Sequence, residues 1–169
     1  MTLLKRIRLR WVVATYYLIA QVYVWHHYLT LTPGRSPTSA EIILPAVAEI
    51  VTALLVAAWV ILRYRSLVWV LLAPLNAVLL LVGQFSAWYA SYGTTENFHP
   101  ALTRFDGLVM TVGTLTTAGA PGIVPTSELA RRVVTVQLLV DILAAIVLFG
   151  LLAGRLINRG LIDRAPPAR

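Results

Sequence analysis

Asp141 is the residue whose position most needs a chemical reason. It is one of only seven acidic residues in 169, and it stands in the middle of the apolar run over residues 133–156. A carboxylate inside so apolar a segment is costly and by default functional. Two placements are open to it. It can face a water-filled path, where its charge draws cations and argues against an anion pore, or it can face a neighbouring helix, hydrogen-bonded to Gln137 or another polar group. A second run, Thr116-Thr117-Ala118-Gly119-Ala120-Pro121-Gly122, is polar and glycine-bearing between apolar neighbours. Gly119 can take a positive φ there, whereas Pro121 is held near about −65°. Glu49 reads as a buried structural partner of a basic or polar group in the first apolar segment, the other reading being part of an ion path. His26-His27 has no third ligand in register for a metal, so it reads as an interfacial anchor beside Trp25 and Tyr28. His99 reads as a solvated loop residue, and Asn76 and Gln84 as hydrogen bonders between packed helices. No Ser-His-Asp, His-Glu-x-x-His or paired-acid constellation stands at useful spacing, and cysteine is absent. Enzymatic chemistry, a thiol metal site and a disulfide framework are therefore not expected.

The elements that position these residues follow from the composition. Hydrophobic residues make up 59% of the chain and charged residues 12%, with a mean hydropathy of +0.78. A soluble domain averages about 45–50% apolar and about 25% charged. A chain of this length cannot bury so much apolar surface in one water-soluble core, which disfavours a soluble enzyme, a disordered tail and a nucleic-acid module. Four segments are long enough to cross a bilayer: residues 11–28, 42–62, 67–88 and 133–156. The first lacks a small-x-small cleavage site after its apolar run and is read as retained. With the N-terminus inside, ten of the fourteen basic residues fall in inner segments, so the net charge of +7 is a topology signal and not a nucleic-acid footprint. Both termini are then cytoplasmic. Trp11, Trp59 and Trp69 mark the inner interface, and Trp25, Trp88, Tyr89 and Tyr92 the outer. Thr38-Ser39-Ala40-Glu41 has capping-box form before the second span, and Pro74 is expected to kink the third without breaking it. Arg131 and Arg132 stand at the outer start of the fourth span. Asp106 and Glu128 each lie near a helix N-terminus, where negative charge is favourable.

Between the third and fourth spans, Thr103-Arg104-Phe105-Asp106 has capping-box form and residues 108–115 form an apolar run too short to span. The polar run then follows. This is the pattern of a re-entrant helix that enters about half way and returns as extended backbone. Such backbone is tolerated only where protein or a water-filled cavity surrounds it, so several chains around a shared axis are expected.

The same stretch resembles the pore module of the potassium-channel superfamily, with outer helix, pore helix, selectivity filter and inner helix. The residues that carry the resemblance run without a gap from Asp106-Gly107-Leu108-Val109-Met110-Thr111-Val112-Gly113 through Thr114-Leu115-Thr116-Thr117-Ala118-Gly119 to the closing Pro125, and it covers residues 67–157. It implies an all-α membrane protein of four transmembrane helices plus a re-entrant pore helix and filter loop, assembling as a homotetramer in the plasma membrane. Residues 1–66 would form an N-terminal two-helix region, 67–157 the pore module and 158–169 a cytoplasmic basic tail. It further implies an ion-conducting filter over Thr116, Thr117, Ala118, Gly119, Ala120, Pro121 and Gly122, with a monovalent cation, potassium or sodium, held at Thr117, Ala118 and Gly119. Four copies of Asp141 would form an acidic ring in the cavity below. Ala120 and Pro121 stand where the family has tyrosine and glycine, and Val109 and Met110 replace its bracing aromatics. The outer filter sites are therefore expected to be lost or widened and selectivity weak. The second span contains no repeated arginine, so strong voltage gating is not expected. The partners expected are the bilayer, further copies of the chain and monovalent cations, without nucleic acid or other cofactor. A non-conducting scaffold or regulatory subunit, and a membrane-depolarising effector, are the competing functions.

Overall fold

A computed structural model of the protein describes residues 3–33 and 39–163, with side chains over residues 9–33 and 47–158. Among the described residues there are five helices: α1 Leu3–Thr30, α2 Ser39–Arg63, α3 Leu67–Tyr92, α4 Arg104–Leu115 and α5 Glu128–Asp163. Residues Leu67–Tyr92 and Glu128–Asn158 are long and apolar enough to cross a membrane. The capping box expected at Thr38-Ser39-Ala40-Glu41 lies outside the described side chains. α1 begins before the expected residue 11, because Lys and Arg are good helix formers and do not end a helix. α3 continues through Pro74.

The fold is mostly helical, as expected, with one small addition. β1 (Phe98–His99) and β2 (Val124–Pro125) pair antiparallel, Phe98 opposite Pro125 and His99 opposite Val124. Two-residue strands carry no alternation that a sequence reading could detect. Asn97 holds this clasp shut: its carbonyl accepts from Thr126 N at 2.8 Å, and its side-chain oxygen accepts from Ser127 Oγ at 2.6 Å. The clasp ties the loop before α4 to the loop after it.

α3 is the post on which the other helices stand. In its first half only the stripe Val70, Ala73, Ala77 and Leu80 is buried, against α1 and α2. From Leu80 to Tyr92 every residue is buried, because α4 covers the remaining side. Phe85, Trp88, Tyr89, Phe98, Leu102 and Met110 form the second packed cluster there. Small residues allow this approach. A Cβ added at Gly107 would lie 2.9 Å from Ser86 O and 3.1 Å from Ala90 N, so α4 rests on α3 backbone to backbone.

Polar side chains pin the outer helices to this frame. Gln21 Nε2 donates to the backbone carbonyl of Asn76 at 2.9 Å and to its side-chain oxygen at 3.5 Å, Asn76 Nδ2 donates to Leu72 O within α3 at 2.8 Å, and Trp25 Nε1 donates to Gln21 Oε1 at 2.9 Å. Gln84 donates to Glu49. The sequence reading places the partner of Glu49 in the first apolar segment; the partner is instead Gln84, in α3. The reason is geometric, since Ala53, Ala57, Val60 and Ile61 of α2 pack in one cluster with Val70, Ala73, Ala77 and Leu80 of α3. Tyr28 Oη donates to Arg104 O at 2.7 Å, and Arg104 Nε donates back to Leu31 O at 2.8 Å. That exchange ties the end of α1 to the start of α4. His26 and His99 are exposed and His27 half-buried.

Candidate functional site

α4 starts where the sequence predicts. Asp106 N donates to Thr103 Oγ1 at 3.2 Å, while Thr103 N donates to Asp106 Oδ2 at 2.8 Å. Thr103 Oγ1 also donates to Asp106 Oδ2 at 2.6 Å. These bonds, first from the hydroxyl and then from the backbone, hold the Asp106 carboxyl below its ordinary value of 3.8. A depressed folded-state pKa contributes stability above the unfolded value, and that stability is lost as pH falls through the folded one. Asp106→Asn should therefore melt lower than the wild type at pH 7, by a cap's worth of about 0.5–1 kcal/mol. The gap should close as pH falls below the ordinary carboxylate range. Thermal melts across pH 2–7 check this, and a gap that widens in acid would contradict the cap.

The 12 residues of α4 span about 18 Å, too little to cross a bilayer. Its depth is set by α5. Gln137 Nε2 donates to Thr111 O at 2.9 Å. Gln137 lies nine residues into α5, about 14 Å along its axis. The C-terminus of α4, four residues beyond Thr111, therefore stops part-way along α5.

The turn after α4 is organised by its own backbone. Thr116 N donates to Val112 O, Thr117 N to Thr114 O and Gly119 N to Gly113 O, each at 3.0 Å. The last carbonyls of the helix are satisfied in this way. Thr116 Oγ1 is also spent on Val112 O, at 2.8 Å. Thr117 takes φ +59°, a left-handed conformation that costs a β-branched residue about 1–3 kcal/mol. Thr117→Gly should raise the melting temperature by a few degrees, the equivalent of about 1 kcal/mol. A fall in melting temperature would show that the threonine side chain stabilises this turn.

Beyond Thr117 the backbone does not form a ladder of outward carbonyls. A Cβ placed on Gly113 would lie 2.2 Å from Gly119 O, so that carbonyl is directed onto α4. Ile123 N donates to Ala120 O at 3.1 Å, and Gly122 has φ +80°. Ala120-Pro121-Gly122-Ile123 is a turn with proline and a positive-φ glycine at its two central positions, the pattern of type II. The expected outer filter residues Ala120, Pro121 and Gly122 thus reverse the chain toward β2. Thr116, Thr117, Ala118, Gly119, Pro121 and Gly122 are exposed and Ala120 is half-buried. With the Thr116 hydroxyl and the Ala120 carbonyl hydrogen-bonded and the Gly119 carbonyl facing Gly113, the Thr117 side chain and the Ala118 backbone remain as the polar surface at the end of α4.

Asp141 takes the second of its two placements. It is 8% exposed within the single chain and accepts from Gln137 Nε2 at 3.1 Å. Gln137 is fully buried and makes both bonds at once, so it joins Asp141 on α5 to the carbonyl of Thr111 on α4. The carboxylate sits behind the short helix. The face of α5 left open is apolar: Val136, Leu139, Ile142, Leu143, Ile146 and Phe149. Sequence reasoning passed over Gly113 and Thr111. Two glycines inside a 12-residue helix, Gly107 and Gly113, were the available signal, since each costs about 1 kcal/mol against alanine unless something approaches closely.

Comparison with protein-family models, with curated proteins and with solved structures yields no match.

Proposed function

We propose that the protein is a cation channel of the plasma membrane, built from four copies around a shared axis, with a potassium-channel-like pore of weak selectivity. The observation that carries this reading is that the short helix α4 ends part-way along α5. A helix that stops there and exposes Thr117 and Ala118 cannot end in lipid, where unsatisfied backbone is costly. Further copies packed on the open apolar face of α5 would enclose that end in a water-filled path. The C-terminus of α4 carries the negative pole of the helix dipole, which favours a cation there. Four spans, with both termini cytoplasmic, agree with the distribution of basic residues. Few carbonyls remain free to replace a hydration shell, so discrimination between potassium and sodium is expected to be small.

One further reading has its own support. Gly119 O turned onto α4 and the turn at Pro121 suit a non-conducting scaffold that kept the helices and lost the filter. Purified protein in liposomes separates the two. The channel reading expects cation flux, with a reversal potential close to zero in opposed potassium and sodium gradients. A reversal potential near that of potassium would overturn weak selectivity. The absence of flux under voltage, pH and lipid variation would leave the scaffold.

A further inference from the structure

At the end opposite α4, three helices bring arginine to one turn. Arg155 of α5 donates from Nη2 to Tyr64 O at 3.2 Å. Arg10 of α1 places its guanidinium carbon 5.9 Å from the centre of the Tyr64 ring. Arg63 and Arg65 flank Tyr64 in the α2–α3 turn and are exposed. Among the described side chains, carboxylates that could neutralise Arg10, Arg63 and Arg155 stand elsewhere. Glu49 is 14 residues back from Arg63 along α2 and Asp141 is 14 residues back from Arg155 along α5, each about 21 Å away, and Glu96, Asp106 and Glu128 belong to the other end of the molecule. Like charges gathered in this way repel unless an anion joins them.

Two donors at this junction also lack an acceptor. Arg155 Nε and the Tyr64 hydroxyl are buried without a hydrogen-bond partner, and Tyr64 as a whole is 7% exposed. A buried unpaired donor carries a desolvation cost of about 1–3 kcal/mol, which a ligand bearing several acceptor oxygens can relieve. Trp59 and Trp69 pack on Tyr64, with ring centres 5.6 Å and 5.9 Å away. Next to this collar the helices expose Leu62, Leu67, Val68 and Leu71. Arginine forks suit phosphate, aromatic collars suit the bilayer interface, and the apolar side chains beside them suit acyl chains.

We propose that the α1, α2–α3 and α5 junction at Tyr64 binds the phosphate headgroup of an anionic phospholipid, with Arg10 and Arg155 as the principal contacts and Arg63 at the rim. The assignment rests on the membrane reading above, which puts this end at the inner interface. Basic pockets between helices on that side are suited to anionic headgroups. Occupancy would also bridge α1, whose far end is tied to α4, and α5, which holds Thr111.

The full chain in detergent, titrated with phosphatidylglycerol or phosphatidylcholine carrying brominated acyl chains, tests the site through quenching of tryptophan fluorescence. Wild type should reach half-quenching at about fivefold less phosphatidylglycerol than phosphatidylcholine, and the preference should shrink with added salt. Arg10→Gln with Arg155→Gln should bring the two lipids within twofold. Arg63→Gln, which leaves the Arg155 bond to Tyr64 in place, should weaken the preference by a smaller factor and serves if the first pair does not fold. Arg131→Gln with Arg132→Gln, at the far end, should keep the wild-type preference. Equal quenching of wild type by both lipids, a preference that survives both inner variants, or its displacement by millimolar glycerol phosphate would overturn the proposal. No ion gradient is present, so the result does not depend on whether the protein conducts.

Discussion

Gly113→Ala is expected to abolish conduction while leaving the chain helical. In an isolated helix the change would stabilise by about 1 kcal/mol, because alanine is the better helix former. Here the new Cβ would meet Gly119 O at 2.2 Å and Gly119 C at 2.7 Å. Both are backbone atoms of a loop that cannot rotate away as a side chain would. Overpacking of this kind costs about 1–3 kcal/mol, and displacing the loop also breaks the Gly119 N to Gly113 O bond, worth about 1 kcal/mol. The steric terms outweigh propensity, so the expected net is a destabilisation of about 1–3 kcal/mol. Flux should fall by tenfold or more as Thr117 and Ala118 move off the end of α4. Circular dichroism, thermal melts and liposome flux read the three effects separately. A variant that melts higher and conducts as the wild type does would show that the loop is not seated on α4.

Gln137→Leu is the second large effect. Among the described residues, Gln137 alone joins the buried Asp141 to Thr111 O. Its removal leaves a carboxylate of 8% exposure without that donor, at a cost of about 2–4 kcal/mol for a charged group. Replacing both members by apolar residues is far cheaper than replacing one. Gln137→Leu with Asp141→Leu should therefore regain most of the lost melting temperature, and flux should return to within severalfold of wild type. Asp141 would then be a positioning residue that braces α4 through Gln137. If the double variant is stable but loses cation flux, Asp141 acts in the permeation path, and the bracing account fails. A double-mutant cycle on melting temperature gives the coupling directly.

Much of the fold was legible because it rests on local signals. Apolar runs of span length, the Thr103 to Asp106 capping box and the Pro-Gly pair at 121–122 each declare themselves within a few residues. The short length of the run before Thr116 was enough to predict a helix that does not cross. Less legible were the contacts between segments far apart in the chain. Nothing around Glu49 says that its partner is Gln84, 35 residues on. Nothing around Arg104 says that it will hold Leu31 O, or around Arg155 that it will meet Tyr64. The direction of a carbonyl is likewise silent in sequence. Ala118, Gly119 and Ala120 read as one extended ladder until Gly113 is seen to leave room for Gly119 O.

The sequence by itself determined the long apolar helices α3 and α5, the start and length of α4 and the place of the polar turn, because hydropathy, caps and glycine or proline act over a few residues. Only the tertiary structure decided which way Asp141 faces. A residue in the middle of α5 can point to any side of the helix, and its direction follows from the stripe Ala130, Gln137, Asp141, Ala144 and Leu148 that is buried against the rest of the chain. That stripe turns the carboxylate behind α4, and it leaves the opposite, apolar face of α5 for whatever surrounds the chain.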